Sequence, residues 1–228
     1  MGKNSVQELS KPDREALKAI YRLTRAGDEA HTGALAEGLG VSPGTVTGLL
    51  KRLSDRGYVD YRPYHGVGLT RRGRAAAVAA IRRHRIVERF LSDLLGYAWN
   101  EADRLARTFE HDLPQEVEDR LYEVLDRPSA CPHGFPIPER EAAELPDLPQ
   151  LYDLEPGQVA TVAVPGSVQP DVAEFLDGLG LHPGARVEVR DKQPFDGPIV
   201  LRVAGEDRVL GSKVARDVYV TDVQDRSA

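Results

Sequence analysis

The sequence predicts a mainly α-helical protein with a β-rich C-terminal part, and three observations lead to this fold class. Helix-capping signals and apolar residues at helical spacing run through the first 125 residues, six prolines crowd into residues 127–150, and short β-branched runs follow. The 228 residues suffice for two compact domains or three small ones. We expect three, at residues 1–73, 74–150 and 151–228.

Net charge differs between the two ends of the chain. Residues 1–85 carry 16 Lys and Arg against 8 Asp and Glu, a net charge of 16 − 8 = +8, whereas the remainder carries 14 against 28, a net charge of 14 − 28 = −14. A basic module on an acidic protein commonly binds a polyanion, although it could instead face the acidic part of its own chain or of a dimer partner. Charge alone therefore favours a nucleic-acid partner only modestly.

Hydropathy and cysteine content indicate where the protein works. No apolar run approaches the roughly 20 residues that cross a bilayer, and residues 1–5 lack the apolar core of a signal peptide. The lone Cys131 excludes an intrachain disulfide, which suits a reducing compartment. We expect a cytoplasmic protein with no membrane partner.

The first two helices are predicted from their end signals. Ser10 with Asp13 three residues later forms a capping box, so the first helix should span about 12–25. A second, shorter helix follows from residue 31 and should end at Gly40, because glycine adopts the left-handed conformation that closes a helix.

A third helix and a hairpin complete a recognisable order. Ser42 is a predicted N-cap, Pro43 fits the first helical position, and residues 58–64 alternate as a strand that residues 65–70 can turn back. This order is typical of a winged helix-turn-helix, whose second helix enters the major groove of DNA. The alternative is a small helical domain with a hairpin and no DNA partner.

The expected DNA contacts follow from their positions at the exposed start of the third helix and in the wing. They are Ser42, Pro43, Gly44, Thr45, Thr47, Lys51, Arg62, Tyr64 and His65. The helix start has no Arg, Asn or Gln, the strongest bidentate base readers, so discrimination should depend on small-residue contacts and DNA shape. Each of these residues could equally be a solvated surface residue.

Residues 74–126 are predicted to form three further helices. The first, at 74–95, carries more apolar surface than one helix can hide, and the second runs from residue 100 or 101 to 111. The third, Gln115–Leu125, should bury Val117, Leu121, Val124 and Leu125 on its inner face. A helical layer beside a DNA-binding module usually makes a homodimer.

Two of these helices offer metal-competent side chains. His84 and Glu88 lie one turn apart, and Glu110 and His111 are adjacent downstream, so the four could meet where the helices pack. A His and a Glu four residues apart are, taken alone, more often a surface pair.

These features, with the run of residues 131–138, resemble the diphtheria toxin repressor family of iron- and manganese-responsive regulators, and the resemblance covers nearly the whole chain. It implies a dimeric repressor of metal-uptake genes in which Mn²⁺ or Fe²⁺ fixes the spacing of two recognition helices on a palindromic operator. It also implies that the strands of the C-terminal part form an SH3-like barrel, shared with ferrous-iron transport accessory proteins. The sequence leaves that barrel's role open between metal ligation, partner binding and stabilisation.

The resemblance places a primary metal site on Glu15, Glu110 and His111. Another ligand position of that site falls on Arg107, which has no lone pair to donate, and a further acidic position becomes Lys18. These two departures count against the primary site and would leave one metal site per protomer.

The resemblance places a second site on the helix of residues 74–95 and in the proline-rich connector of residues 127–150. Its residues are His84, Glu88, Cys131 and His133, with Gln169 and Asp171 as candidates for a last ligand from the C-terminal domain. Nitrogen and oxygen donors suit Mn²⁺ or Fe²⁺, whereas the thiolate shifts selectivity toward iron, Zn²⁺ or Co²⁺. Cys131 could equally be a small buried apolar residue.

Two other classes of function remain to be weighed. The sequence contains no HExxH motif, nucleophile elbow or phosphate-binding loop, so we do not expect an enzyme. The stronger alternative is a metal-independent DNA-binding protein with vestigial metal residues, and operator binding without metal would identify it.

Overall fold

The computed structural model describes residues 9–25, 30–62, 65–142, 144–164 and 170–225. The predicted site residues Tyr64 and Gln169 lie outside these ranges. The chain divides into two compact units. Unit 1 comprises Met1–Val87, Ala106–Val124 and Pro138–Leu145, and unit 2 comprises Glu88–Leu105, Leu125–Ile137 and Pro146–Ala228.

Unit 1 begins with the three predicted helices: α1 (Lys11–Arg25), α2 (Thr32–Leu39) and α3 (Pro43–Asp55). The capping box of α1 is present, because the Ser10 backbone N–H donates to Asp13 at 3.0 Å and the Asp13 N–H donates to the Ser10 hydroxyl at 3.4 Å. Gly40 closes α2 with a φ of 65°, as expected.

The predicted wing follows α3 as an antiparallel pair, β1 (Val59–Tyr61) and β2 (Val67–Leu69). Gly73 lets the next helix pack against this hairpin, because a Cβ built there would lie 1.8 Å from the carbonyl oxygen of Tyr58. Only glycine permits so close an approach. The winged helix-turn-helix order is therefore confirmed.

The next three helices form as predicted, but two of them begin earlier in the chain and one buries a different face. Its helices are α4 (Arg71–Arg89), which continues as a π-helical turn over Phe90–Leu94, α5 (Trp99–Phe109) and α6 (Gln115–Val124). Half of the predicted inner face of α6 is wrong: Val117 and Val124 are 39% and 62% exposed and Glu118 is buried, whereas Leu121 and Leu125 are half-buried. Arg82 and Arg83 of α4 pair with the Glu118 carboxylate, which explains its burial.

The core of unit 1 joins the winged helix to the first part of α4. Leu17 and Ile20 of α1, Leu50 and Leu53 of α3, and Ile81 of α4 belong to one continuous apolar cluster. Burial of such side chains stabilises the unit by about 1.5–3 kcal/mol each.

Unit 2 contains a five-stranded antiparallel sheet in the order β6-β5-β4-β3-β7. Its strands are β3 (Gln158–Ala163), β4 (Arg186–Lys192), β5 (Ile199–Val203), β6 (Glu206–Leu210) and β7 (Tyr219–Asp225), with helices α7 (Pro170–Gly178) and α8 (Ser212–Asp217). The sequence did not indicate β6, because Glu-Asp-Arg at its start is poor strand material. Antiparallel pairing with β5 stabilises this strand despite the low strand propensity of its first residues.

Across the described ranges, no helix combines the length and the apolar character needed to cross a bilayer.

Candidate metal centres and DNA-binding surface

Three predicted ligands meet in unit 1, and we call them the Glu15 cluster. Glu15 comes from α1, while Glu110 and His111 directly follow α5. One donor atom from each residue lies within 4.8 Å of the others. Glu110 and His111 are buried and Glu15 is half-buried. The structure therefore brings these three residues together.

Lys18 lies inside this cluster. Its ammonium nitrogen is 2.6 Å from Glu110 Oε1 and 2.8 Å from Glu15 Oε1, and its side chain is only 4% exposed. A lysine is almost never buried unless it is paired, and here both partners are carboxylates of the predicted metal site. The positively charged Lys18 ammonium therefore lies between the carboxylate donors of the predicted site.

His84 of α4 completes the surroundings of Glu110. Its Nδ1 lies 2.6 Å from Glu110 Oε2, so the two oxygens of Glu110 face His84 and Lys18 separately. Burial alone would raise the pKa of Glu110, but the hydrogen bond from His84 and the charge of Lys18 outweigh it and hold the pKa well below its usual range. Glu110 is therefore an anion with both oxygens occupied.

His111 faces a cation rather than an anion on one side of its ring. Arg14 Nε donates to His111 Nδ1 at 3.4 Å, and Arg14 Nη2 donates to the His111 carbonyl at 2.8 Å. Because a guanidinium can only donate, Nδ1 accepts and the proton of the neutral ring lies on Nε2. Burial lowers the pKa of His111, which keeps the ring neutral.

The Glu15 cluster does not fit a divalent ion in this form. Two carboxylates and an imidazole are suitable donors for manganese or iron. However, the Lys18 ammonium already contacts both carboxylates, and the Nε2 atom of His111 that faces Glu15 at 3.2 Å carries a proton. A metal-binding histidine usually donates its other N–H to an acceptor, whereas His111 receives a bond from Arg14.

A second group, which we call the Cys131 cluster, lies in unit 2 and consists of Glu88, Cys131 and His133. Its three donor atoms lie within 4.8 Å of one another, and all three residues are buried. Glu88 Oε1 is 3.0 Å from His133 Nδ1, and Cys131 Sγ is 3.9 Å from the same nitrogen.

The connector holds Cys131 and His133 in a tight turn. The Cys131 N–H donates to Phe135 O at 2.9 Å, and the Gly134 N–H donates to Cys131 O at 2.9 Å. Gly134 has a φ of +85°, and a Cβ there would lie 3.1 Å from Val162 O of β3. Glycine at this position therefore allows a turn that packs on the sheet.

His133 is the most constrained member of the Cys131 cluster. Trp99 packs edge-on against its ring with centroids 5.2 Å apart, a contact that the sequence did not reveal. Burial would lower the pKa of His133, but hydrogen bonds with Cys131 and Glu88 outweigh it and raise the pKa to about 9. Its Nε2 is buried without a hydrogen-bond partner in the described part of the chain.

The Cys131 cluster fits a transition-metal ion. Carboxylate, thiol and imidazole are the donors that iron, zinc, cobalt and manganese take up in proteins, and His133 turns its Nδ1 toward both Glu88 and Cys131. Asp171, a candidate for the last ligand, is exposed near the start of α7, where its carboxylate accepts from the Val172 N–H at 2.9 Å. Within the described ranges the structure does not bring Asp171 to the cluster.

The predicted DNA-contact residues of α3 lie at its exposed start. Ser42 caps the helix by accepting from the Thr45 N–H at 3.2 Å, and Pro43, Gly44 and Thr45 are exposed. Thr47 is half-buried and donates its hydroxyl to Pro43 O at 3.0 Å, which leaves its methyl group and oxygen lone pairs for contacts. Lys51 is exposed one turn later, as are Arg62 and His65 in the wing.

A buried carboxylate fixes α3 against α1. Asp13 Oδ1 accepts from Arg52 at 2.7 Å, and Asp13 Oδ2 accepts from Arg56 at 3.0 Å. Burial alone would raise the pKa of Asp13, but the hydrogen bonds from Arg52 and Ser10 outweigh it and lower the pKa. The helix that would enter the major groove therefore has a defined orientation on the first helix.

Models of known domain families match three successive parts of the chain. Residues 8–67 match the N-terminal DNA-binding domain of iron-dependent repressors, and residues 70–139 match their metal-binding and dimerisation domain. Residues 150–222 match the FeoA domain.

Similarity to individual proteins extends over nearly the full length. The iron-dependent repressor IdeR of Mycobacterium tuberculosis (strain H37Rv) is 31% identical over 96% of this chain and 100% of its own. The diphtheria toxin repressor of Corynebacterium efficiens is 33% identical over 91% of this chain and 94% of its own. A solved manganese-dependent transcriptional repressor in complex with manganese superposes with a TM-score of 0.80 and 32% identity, covering 91% of this chain and 98% of that one. The chain therefore belongs to the diphtheria toxin repressor family of iron- and manganese-dependent transcriptional regulators.

Proposed function

We propose that this protein is a metal-dependent transcriptional repressor of metal-uptake genes rather than an enzyme. It acts in the cytoplasm as a homodimer that binds a palindromic DNA operator when loaded with Mn²⁺ or Fe²⁺. The observation that carries this proposal is the buried Cys131 cluster, because its three donors converge in a chain whose family members are metal-dependent repressors. The match to a DNA-binding domain supplies the other half of the argument.

The proposed regulatory metal site is formed by Glu88, Cys131 and His133. When bound, the metal supplies a positive charge that the carboxylate and thiolate balance, and it displaces the proton from His133. The relatives' names point to iron or manganese. Because a thiolate is a soft ligand, Zn²⁺ and Co²⁺ are further candidates for this particular donor set.

The proposed DNA-binding domain is residues 1–73, followed by a metal-binding and dimerisation domain at 74–150 and an SH3-like domain at 151–228. The three matched domain families support this division. The start of α3 would reach base edges, while Lys51 and Arg62 would contact phosphates. Half-sites about one helical turn apart are the geometric expectation for a dimer.

Exposed apolar side chains support the proposed homodimer. They lie within residues 70–139, which match the family's metal-binding and dimerisation domain. In unit 2, Leu94 and Leu95 are 53% and 55% exposed, and Tyr97 is also exposed. Three large apolar residues within four positions are unusual on a solvated surface and typical of an interface.

The proposed mechanism is a population shift. Metal binding favours one arrangement of the two recognition helices in the dimer, and the operator selects the same arrangement. A typical coupling free energy of about 1–3 kcal/mol would raise operator affinity about 5- to 150-fold.

Operator titration tests this proposal. A palindromic duplex selected from random DNA is titrated at fixed salt with chelator and then with Mn²⁺, Fe²⁺ or Zn²⁺. We expect metal to tighten binding at least fivefold, and the effect to disappear in Glu88→Gln or His133→Ala. Glu174→Gln, a change of an exposed carboxylate on α7, is the matched control and should retain the full response. Equal affinity with chelator and with every metal would instead identify a metal-independent DNA-binding protein.

A further inference from the structure

The Glu15 cluster already holds a lysine side chain among its donor atoms. The Lys18 ammonium is 2.6 Å from Glu110 Oε1 and 2.8 Å from Glu15 Oε1, and it is shielded from water. These are the two carboxylates that a divalent ion would need at this place.

Positive charges of the chain already act on the two carboxylates beside Lys18. Lys18 contacts both Glu15 and Glu110, and Arg14 interacts electrostatically with Glu110. A divalent ion would add two further positive charges beside a buried ammonium and a guanidinium, which is strongly unfavourable in an environment of low dielectric constant.

The hydrogen bonds around the cluster also oppose metal binding. His84 occupies the second oxygen of Glu110, and Arg14 fixes the His111 tautomer that has no lone pair on the nitrogen facing Glu15. A metal would have to displace Lys18 and also break the Arg14–His111 hydrogen bond, because a guanidinium can only donate. Because Lys18 is attached to α1, it cannot diffuse away, and its effective concentration at the carboxylates is high.

We propose that the Lys18 ammonium is the resident cation of the Glu15 cluster and takes the place of a metal ion there. It ties α1 to Glu110 at the end of α5, and through Glu110 to His84 of α4, whether or not metal is present. The chain therefore binds one metal ion per protomer, in the Cys131 cluster. Only this count rests on the proposed function; the substitution of metal by Lys18 does not.

The test counts bound metal in the full-length protein. Chelator-treated protein is titrated with Mn²⁺ while the free ion is followed by electron paramagnetic resonance. We expect one Mn²⁺ per protomer for the wild type and two for Lys18→Met, which removes the charge but keeps the length of the side chain. Lys11→Met, which alters an exposed lysine on the same helix, is the matched control and should leave the number at one.

A double variant places the new site. His133→Ala alone should bind no tightly held Mn²⁺, and Lys18→Met combined with His133→Ala should bind one. A wild type that binds two ions, or a folded Lys18→Met protein that gains none, would overturn the role of Lys18. A wild type that binds none while Lys18→Met gains one would refute the proposed metal site and leave the role of Lys18 standing.

Two further measurements keep the test decisive if Lys18→Met does not fold, because removing a buried cation leaves two carboxylates unpaired. Lys18→Gln retains a hydrogen-bond donor and should gain the same second ion, with a melting temperature that rises on adding Mn²⁺. In the Lys18-containing protein, Glu110→Gln should leave the number of bound Mn²⁺ unchanged, whereas Glu88→Gln should lower it. Loss of a bound ion in Glu110→Gln would contradict the proposal.

Discussion

Asp13 shows how one side chain can serve two levels of structure. Its carboxylate accepts from the Ser10 N–H, which caps α1, and from Arg52 and Arg56, which hold α3. The cap is visible in the sequence because its partners are three residues apart. The pairing with α3 is not visible, because Arg52 and Arg56 are about 40 positions away and many other arginines could have served.

The first prediction concerns Asp13→Asn. We expect this variant to lose about 2 kcal/mol of unfolding free energy at neutral pH, because two arginines and a helix start lose their charged acceptor. The folded-state pKa of Asp13 is lowered, so its contribution is full above the unfolded-state pKa of about 3.9 and is lost as pH falls through the folded-state value. The difference between wild type and variant should therefore be constant above about pH 5 and shrink below about pH 4.

Urea denaturation at a series of pH values from 7 down to the acid limit measures this difference. Asp60→Asn, an exposed aspartate of β1, is the control and should change stability by less than about 0.5 kcal/mol. A difference for Asp13→Asn that grew on acidification would be the wrong sign and would refute this account.

The second prediction concerns Gly134, whose backbone shapes the turn carrying Cys131 and His133. We expect Gly134→Ala to lose about 1–3 kcal/mol, because the residue has a positive φ and its added Cβ would press on β3 at Val162 and Ala163. Gly157→Ala separates the two causes, since Gly157 has a φ of +92° but no neighbour within 4 Å of an added Cβ.

Thermal unfolding and Mn²⁺ titration of both glycine variants provide the measurement. Only Gly134→Ala should weaken metal binding, because only this substitution disturbs the turn that holds the ligands. Equal losses in the two variants would mean that backbone strain alone accounts for the effect.

At the level of elements, helix α6 shows where the sequence was misleading. Its apolar residues Val117 and Val124 predicted an inner face that is exposed, while the charged Glu118 is buried between Arg82 and Arg83. A charged residue in a helix is normally assigned to the surface, and only the two arginines of α4 reverse this choice.

The third prediction follows from this buried pair of contacts. Glu118→Gln should lose about 3–5 kcal/mol, because two guanidinium groups would remain buried without a negative partner. Glu116→Gln, on the exposed side of the same helix, is the control. Urea denaturation checks both, and a loss below about 1 kcal/mol for Glu118→Gln would show that the guanidinium groups reach water when their partner is removed.

Elements with local signals could be predicted, and elements defined by distant partners could not. The capped start of α3 at Ser42 and the glycine end of α2 at Gly40 needed only neighbouring residues. Strand β6 depends on its register with β5, and the position of Lys18 among carboxylates depends on the return of the chain 92 residues later. For the proposed metal site, residue types pointed to Cys131 and His133, but the supporting Trp99 contact emerged only from the fold.

At the scale of the whole molecule, we propose that the two clusters have different roles. Lys18 provides a permanent cation in unit 1, so its ion pair with Glu110 stabilises that unit independently of metal supply. In the proposed function, the Cys131 cluster in unit 2 is the element that responds to metal. Operator affinity should depend on metal concentration with a single binding step per protomer.

The last prediction concerns the dimer that would couple these events to DNA. Leu94→Glu combined with Leu95→Glu should convert the homodimer to a monomer, because charged residues would replace apolar side chains that the proposed interface covers. Size-exclusion chromatography with light scattering measures the mass. Phe195→Glu is the control, since Phe195 is fully exposed but lies far along the chain in the β-rich part of unit 2, and it should leave the dimer intact.

The monomeric variant should still fold and bind Mn²⁺, because the Cys131 cluster uses residues of one chain only. It should lose most of its operator affinity, since a single winged helix contacts one half-site and forfeits the gain in effective concentration that a dimer provides. A double variant that stays dimeric would place the interface elsewhere. One that becomes monomeric yet binds the operator as tightly as the wild type would show that the two half-sites are occupied independently.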